Sequence, residues 1–204
     1  MKIEVLSKTK DSVEFSVKEI NVALANELRR IMTSEVPTMA VEFVDFKKND
    51  SAIPDELMAN RIGQIPLTFD RKAYNFNESC DNCKGKGCSR CQVELVLKKK
   101  GPAVVYAGDM KSKAKDVQPV FEKIPIVELF EGEELQFEAI AQLGTARKHA
   151  KLQSAVVGYK YEGNDFIFNI ESVSGNSPEE IVAAAANVLE EKANEFGKLL
   201  GKLK

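Results

Sequence analysis

The residues that most often carry chemistry are scarce in this chain. One histidine, His149, occurs in 204 residues, and no cysteine lies outside a single twelve-residue stretch, residues 80–91. Neither sign of charge dominates: 29 Lys and Arg against 31 Asp and Glu leave a formal net charge of -2. Without a basic excess there is no global attraction for a polyanion, and without a basic recognition helix a sequence-reading DNA-binding module is disfavoured. No apolar run approaches the ~20 residues needed to cross a bilayer. No signal peptide is read at the start either, so the expectation is a cytoplasmic protein with reduced thiols.

The same scarcity argues against a catalytic site within the chain. His149 sits in Gly144-Thr-Ala-Arg147-Lys148-His149-Ala-Lys151, among three cations and with no carboxylate nearby in sequence to orient it. A structural or interface hydrogen-bonding role is favoured. The segment fails as a phosphate-binding loop, having one glycine and no GxxxxGK[ST] spacing. Glu133-Glu134 and Glu190-Glu191 read as solvated faces, since adjacent side chains do not converge on one point.

What chemistry there is gathers in Cys80-Asp-Asn-Cys83-Lys-Gly-Lys-Gly-Cys88-Ser-Arg-Cys91, two CxxC pairs separated by four residues. A CxxC step lets two thiolates point at one ion, and Gly85 and Gly87 permit the positive-φ backbone that folds the second pair onto the first. The pattern points to a tetrahedral metal site with Cys80, Cys83, Cys88 and Cys91 as ligands. Two local disulfides are the alternative, and they suit a secreted protein better. Zinc, Zn(2+), is the first choice of metal. An iron-sulfur ferredoxin run spaces its cysteines as CxxCxxC with a later Cys-Pro, whereas Cys91 precedes Gln92; an iron-sulfur cluster stays open as the alternative. Cys80-x-x-Cys83-x-Gly85-x-Gly87 is also similar to one repeat of the DnaJ-type chaperone zinc region. That family needs four such repeats, the second pair here lacks the glycines, and no HPD tripeptide occurs.

At this length the chain can bury one good core and a smaller second one. Residues 12–17 alternate as a half-buried strand, with Val13, Phe15 and Val17 on one side. A short helix follows, capped by Asn21, with Leu24, Leu28 and Ile31 at i, i+4, i+7 and Met32 beside them; Pro37 ends it by Val36. Residues 39–46 read as a strand, and 51–61 as a short helix with Pro54 in its first turn. From 62 to about 143 the texture is strands and loops. Strands are expected at 93–97, 102–107 and 135–141, a solvated turn at Lys98-Lys99-Lys100-Gly101, and a proline-punctuated loop or edge at 118–125.

The last third opens with strands 155–162 and 166–171 around the turn Glu162-Gly163-Asn164-Asp165. Ser177-Pro178-Glu179-Glu180 then sets a capping box with proline at N1. Behind it Ile181, Ala185, Val188, Leu189, Phe196, Leu199, Leu200 and Leu203 keep helical spacing over about 40 Å, at 1.5 Å per residue. That stripe is longer than a small core needs, so part of it is expected to face a partner chain.

Three segments, in order, carry a more specific signature: Asn26-Glu-Leu28-Arg29-Arg30-Ile31-Met32 followed by Ser34-Glu-Val-Pro37; Arg61-Ile62-Gly63-Gln64-Ile65-Pro66-Leu67; and Gly144 to Lys151. They resemble the N-x-L-R-R-I helix, the R-I-G-x-I-P-L segment and the H-A-K segment of the assembly subunits of DNA-directed RNA polymerase. The nearest branch is the archaeal D-type family, counterpart of the bacterial α-subunit amino-terminal domain and of the third-largest eukaryotic subunit. The resemblance implies an α+β fold in which a discontinuous dimerisation domain of mixed sheet and long helices, residues 1–45 and 150–204, accepts an inserted, mostly β domain, residues 46–149. The insert carries the metal-binding loop 80–91.

The resemblance also implies partners. A heterodimer with the small subunit L would use Leu24, Leu28, Ile31, Val188, Phe196, Leu199 and Leu200. Arg29, Arg30 and the 61–67 segment, with Arg61, Ile62 and Ile65, are candidates for contact with the second-largest subunit. Nucleotide addition belongs to the large subunits, so the chain would be a non-catalytic part of a nucleotidyltransferase. Many archaeal relatives hold a further ferredoxin-like domain with iron-sulfur cysteines between the H-A-K segment and the last hairpin. Here residues 151–163 run straight into the hairpin without a cysteine, and 80–91 lies where eukaryotic relatives hold zinc. The competing expectation is a stand-alone zinc-binding chaperone or thiol redox protein.

Overall fold

A computed structural model describes residues 1–163 and 165–203. In chain order the main elements are β1 (Lys2–Lys8), β2 (Ser12–Lys18), α1 (Val22–Ser34), β3 (Thr38–Asn49), α2 (Asp55–Gly63), β4 (Gln92–Lys100), β5 (Ala103–Tyr106), β6 (Lys111–Ser112), β7 (Pro125–Leu129), β8 (Glu134–Gly144), β9 (Ala155–Glu162), β10 (Asp165–Ser172) and α3 (Pro178–Leu200). They form two units, Met1–Pro37 with the chain from Thr145 onward, and Thr38–Gly144. The expected limits at 45/46 and 149/150 therefore move. All of β3 belongs to the insert because it pairs with β8 from Thr38↔Gly144 to Asn49↔Leu135. The segment after Gly144 goes with the ends, where the Arg147 N–H donates to Ser34 O at 3.2 Å.

In the unit built from the ends, the sheet order is β1-β2-β10-β9 and every neighbouring pair is antiparallel. This corrects the expected mixed sheet: the β1–β2 and β9–β10 hairpins join through β2 and β10, and no crossover connection is needed. Asn164 of the β9–β10 turn, and the side chain of Leu203, lie outside the described residues. The helix starts are local events. Asn21 Oδ1 accepts the Leu24 N–H at 2.8 Å. Ser177 Oγ accepts the Glu180 N–H while Glu180 Oε2 accepts the Ser177 N–H at 2.7 Å, closing the capping box in front of α3.

Val13, Phe15 and Val17 of β2 and Phe166, Phe168 and Ile170 of β10 pack against Ala25, Ile31 and Met32 of α1 and Ile181, Ala184 and Ala185 of α3. Phe15 stacks on Phe168 with ring centroids 5.3 Å apart. The buried Ser154 hydroxyl donates to the Met32 carbonyl, which ties the start of β9 to the end of α1.

In the insert, β8 is flanked by β3 and β4 in a four-stranded sheet of order β3-β8-β4-β6, and β5 and β7 make a separate ribbon. Met58 and Ile62 of α2 join Leu95, Leu97, Leu135 and Phe137 in one core. The Lys98-Lys99-Lys100 tripeptide is not a turn. It continues β4 in register with Gln136, Leu135 and Glu134 of β8, because its charges find partners along the strand. Lys98 Nζ lies 3.6 Å from Glu134, and Lys99 Nζ 2.5 Å from Asp109. Phe137 is fully buried at the middle of β8, so Phe137→Ala is expected to lower the stability of the insert by about 3–5 kcal/mol in urea unfolding.

Candidate metal centre and interaction surface

The cysteines lie in the connection from α2 to β4, and Cys91 directly precedes the first residue of that strand. Two similar turns shape the loop. The Lys84 N–H donates to Cys80 O at 2.8 Å and the Lys86 N–H to Cys83 O at 3.1 Å; then the Cys91 and Gln92 N–H groups both donate to Cys88 O at 3.0 Å. Gly85 and Gly87 adopt φ of 84° and 91°, the left-handed backbone that lets the second turn fold back over the first. The neck is closed by the Asn75 N–H, which donates to Arg90 O at 2.8 Å.

All four Sγ atoms fall within 4.8 Å of one another. Cys80 and Cys88 are 3.7 Å apart, Cys83 and Cys91 3.5 Å, and Cys88 and Cys91 3.7 Å. All four thiols are free, so the disulfide alternative does not hold. The set could hold a metal ion. Hydrogen bonds from the Asn82 side chain and the Arg90 backbone pull the Cys88 thiol down to about 6, while burial pushes the Cys91 thiol up to about 12. Four thiolates this close repel one another, and a cation at their centre removes that obstacle.

The second feature is apolar and belongs to the unit of the ends. A groove of 360 Å³ is lined by Leu24 and Leu28 of α1, Val182 and Leu189 of α3, and Ile3, Phe15 and Phe168 of the sheet. Beyond it the last turns of α3 carry Phe196, Leu199 and Leu200, 63%, 52% and 46% exposed. Val188 is half-buried against the core of its own unit. Ile31 is buried completely, because the C-terminal turns of α1 lie under α3 and β9, so the sequence expectation that it reaches a partner is corrected. The same holds for Ile62 and Ile65, which are interior to the insert, while Arg61 is at the surface and donates to Pro125 O at 3.0 Å. Arg29 is half-buried and donates to Asn26 Oδ1 at 3.0 Å; Arg30 is exposed.

Sequence reasoning missed the contribution of β1, although Met1, Ile3 and Val5 alternate with Lys2 and Glu4 as a strand should. It also missed Asn82, whose only signal was an amide inside the cysteine loop.

The end of α1 is fixed by charge. Glu35 accepts from Arg147 Nη2 at 2.6 Å and from Lys192 Nζ at 2.8 Å, and Lys192 also reaches Glu27 at 3.2 Å. Burial pushes the Glu35 carboxyl up, but the hydrogen bond and charge of Lys192, with those of Arg147, outweigh it and hold the group below its ordinary 4.5. A carboxylate lowered in this way stabilises the fold above its unfolded pKa, and the contribution is lost as pH falls through the folded value. Glu35→Gln is therefore expected to cost about 1 kcal/mol at pH 7. The difference from the parent chain should vanish well below pH 4.5, as read by urea unfolding across pH.

The chain is a two-unit scaffold with a four-thiol loop in one unit and an open apolar groove in the other. The chain belongs to the family described as the RNA polymerase Rpb3/RpoA insert domain, which it matches over residues 44–160. It is 43% identical over 155 residues to a protein of Archaeoglobus fulgidus, covering 76% of this chain and 58% of that one. A protein of Pyrococcus furiosus is 42% identical over 181 residues, covering 88% and 64%, and one of Pyrococcus horikoshii 44% identical over 163 residues, covering 79% and 60%. Each of the three is named DNA-directed RNA polymerase subunit Rpo3. The chain thus spans 58–64% of the length of these relatives. The stand-alone chaperone or redox alternative is not favoured by these matches.

Proposed function

We propose that this chain is an assembly-platform subunit of DNA-directed RNA polymerase, the archaeal counterpart of the bacterial α-subunit, without catalytic residues for nucleotide addition. The observation that carries the proposal is the open apolar groove between α1, α3 and the sheet, continued by Phe196, Leu199 and Leu200 along α3. Apolar surface of this extent is unfavourable in water and marks a protein contact. The small subunit L is the partner that fits it. Arg29, Arg30 and Arg61 supply cationic contacts for the second-largest subunit, and the complex works in the cytoplasm.

Zinc is the metal for Cys80, Cys83, Cys88 and Cys91. A tetrahedral zinc with Zn–S bonds of about 2.3 Å has sulfur-to-sulfur edges of about 3.8 Å, and the pairs at 3.5 to 3.7 Å approach that edge. The ion would brace the loop onto the root of β4 and take no part in catalysis. Elemental analysis is expected to find about one zinc per chain; a brown, iron-containing protein would favour an iron-sulfur cluster.

Co-expression with an archaeal L subunit followed by size-exclusion chromatography tests the platform proposal. A stable 1:1 complex is expected. A chain that elutes as a monomer whether or not L is present would sink it.

A further inference from the structure

The hydrogen-bond donors around the four thiols are unevenly shared. Side-chain and backbone N–H groups both serve the second CxxC pair: Asn82 Nδ2 lies 3.3 Å from Cys88 Sγ, and the Cys88 N–H donates to Cys91 Sγ at 3.2 Å. In the first pair, Cys80 Sγ meets Cys88 Sγ and Cys83 Sγ meets Cys91 Sγ, and no N–H donor reaches either sulfur among the described residues. Burial separates these two. Cys80 is 1% exposed, whereas Cys83 is half-exposed. Cys88 is half-exposed as well, but its sulfur carries the Asn82 amide and, second to it, the Arg90 backbone N–H.

We infer that Cys83 is a modification site for small, uncharged electrophiles, the point at which the metal loop opens, and that Asn82 is the positioning residue that keeps the comparably accessible Cys88 from competing. The inference rests on the metal centre proposed above. A metal-bound thiolate keeps its nucleophilic lone pairs, and a hydrogen bond to the sulfur draws off charge and slows its attack. Cys83 alone combines access with the absence of such a donor. With a maleimide, the Cys83 Sγ pair forms a sulfur–carbon bond to the ring alkene, and the alkene pair shifts to the neighbouring carbon, which takes a proton from water. The sulfur becomes a thioether, and Cys80, Cys88 and Cys91 alone would then hold the ion.

The test uses the full chain loaded with zinc, its metal content first established by elemental analysis. Sub-stoichiometric N-ethylmaleimide is added, the adduct is located by peptide mass spectrometry, and a zinc-indicator dye follows release. The first adduct is expected at Cys83, about tenfold faster than at any other cysteine, with zinc released in step. In Asn82→Ala the rate at Cys88 should rise, with the Arg90 backbone donor still in place, while that at Cys83 stays the same. Asn82 is exposed, and the zinc content of this variant is measured first, so that rates are compared between equally loaded chains. A first adduct at Cys80, Cys88 or Cys91, or an Asn82→Ala map identical to the parent's, overturns the inference and leaves the zinc site standing. A chain that takes up no zinc overturns both.

Discussion

Leu28→Glu is expected to abolish co-elution with the L subunit. Leu28 sits in the wall of the groove with Phe15, Phe168 and Leu189, and the charged residue among the lining side chains, Glu190, has the same sign as the introduced carboxylate. Once a partner covers the groove, the carboxylate loses its water, and no lining side chain offers it a cation. An unpaired buried charge costs about 3–5 kcal/mol, which at 1.4 kcal/mol per decade is roughly a hundredfold to several thousandfold in affinity.

Leu28 is already half-buried in the free chain, so its replacement also strains the fold. Phe196→Glu separates the two effects. Phe196 is 63% exposed and contributes little to the chain's own core, yet its removal should weaken pairing by at least about tenfold, the value of one well-buried aromatic side chain. Chromatography of both variants with L, beside thermal unfolding of each alone, checks the expectation. Wild-type co-elution of both variants would mean that the groove faces something other than L.

Removal of the proposed zinc is the second large effect. Binding free energy at a structural zinc site is folding free energy, of order 10–16 kcal/mol in small zinc domains at neutral pH. The loop 75–91 has little else to order it. Among its residues Cys80 and Cys91 are the buried hydrophobic ones, and both belong to the four-cysteine set. Chelation, or Cys91→Ser, is expected to release this loop to rapid amide exchange and to lower the stability of the insert, while residues 1–37 and 145–203 keep their protection.

The affinity should also fall as pH falls. A thiol that holds its proton up to about pH 12, as Cys91 does, must give it up to the metal at any lower pH, whereas Cys88 is already ionised above about pH 6. Hydrogen exchange with and without chelator, and metal competition at two pH values, read these outcomes. An exchange map unchanged by chelation would show that the cysteines do not brace the loop.

Elements whose signal is local were legible in advance. The caps at Asn21 and Ser177 depend on a side-chain oxygen reaching an N–H two or three residues away, so the sequence contains both partners. The CxxC pairs are of the same kind, with the cysteines and the glycines between them contiguous. What was misread depends on partners distant in sequence. Lys98-Lys99-Lys100 looked like a turn because its alternation is masked by charge, and it is a strand because Glu134 and Asp109 are brought beside it. β1 alternates over its first residues, but all of them are exposed, so its place at the edge of the sheet follows only from its pairing with β2.

Ile31, Ile62 and Ile65 expose the limit most clearly. Their positions in the family segments say that those segments matter, but helical spacing is identical for a side chain under its own sheet and one under another subunit. Only the packing of α1 beneath α3 and β9, and of α2 against β3, assigns these isoleucines to the interior. The same packing leaves Leu24 and Leu28 open in the groove.

The four-cysteine cluster, the helix starts and the family could be had from the order of amino acids alone, because each is written in neighbouring residues or in an ordered set of short segments. Where the insert begins, how the sheets are paired and which apolar side chains remain uncovered emerged only once the chain was folded. Those are properties of strand register and of burial, and both depend on which distant segment lies opposite.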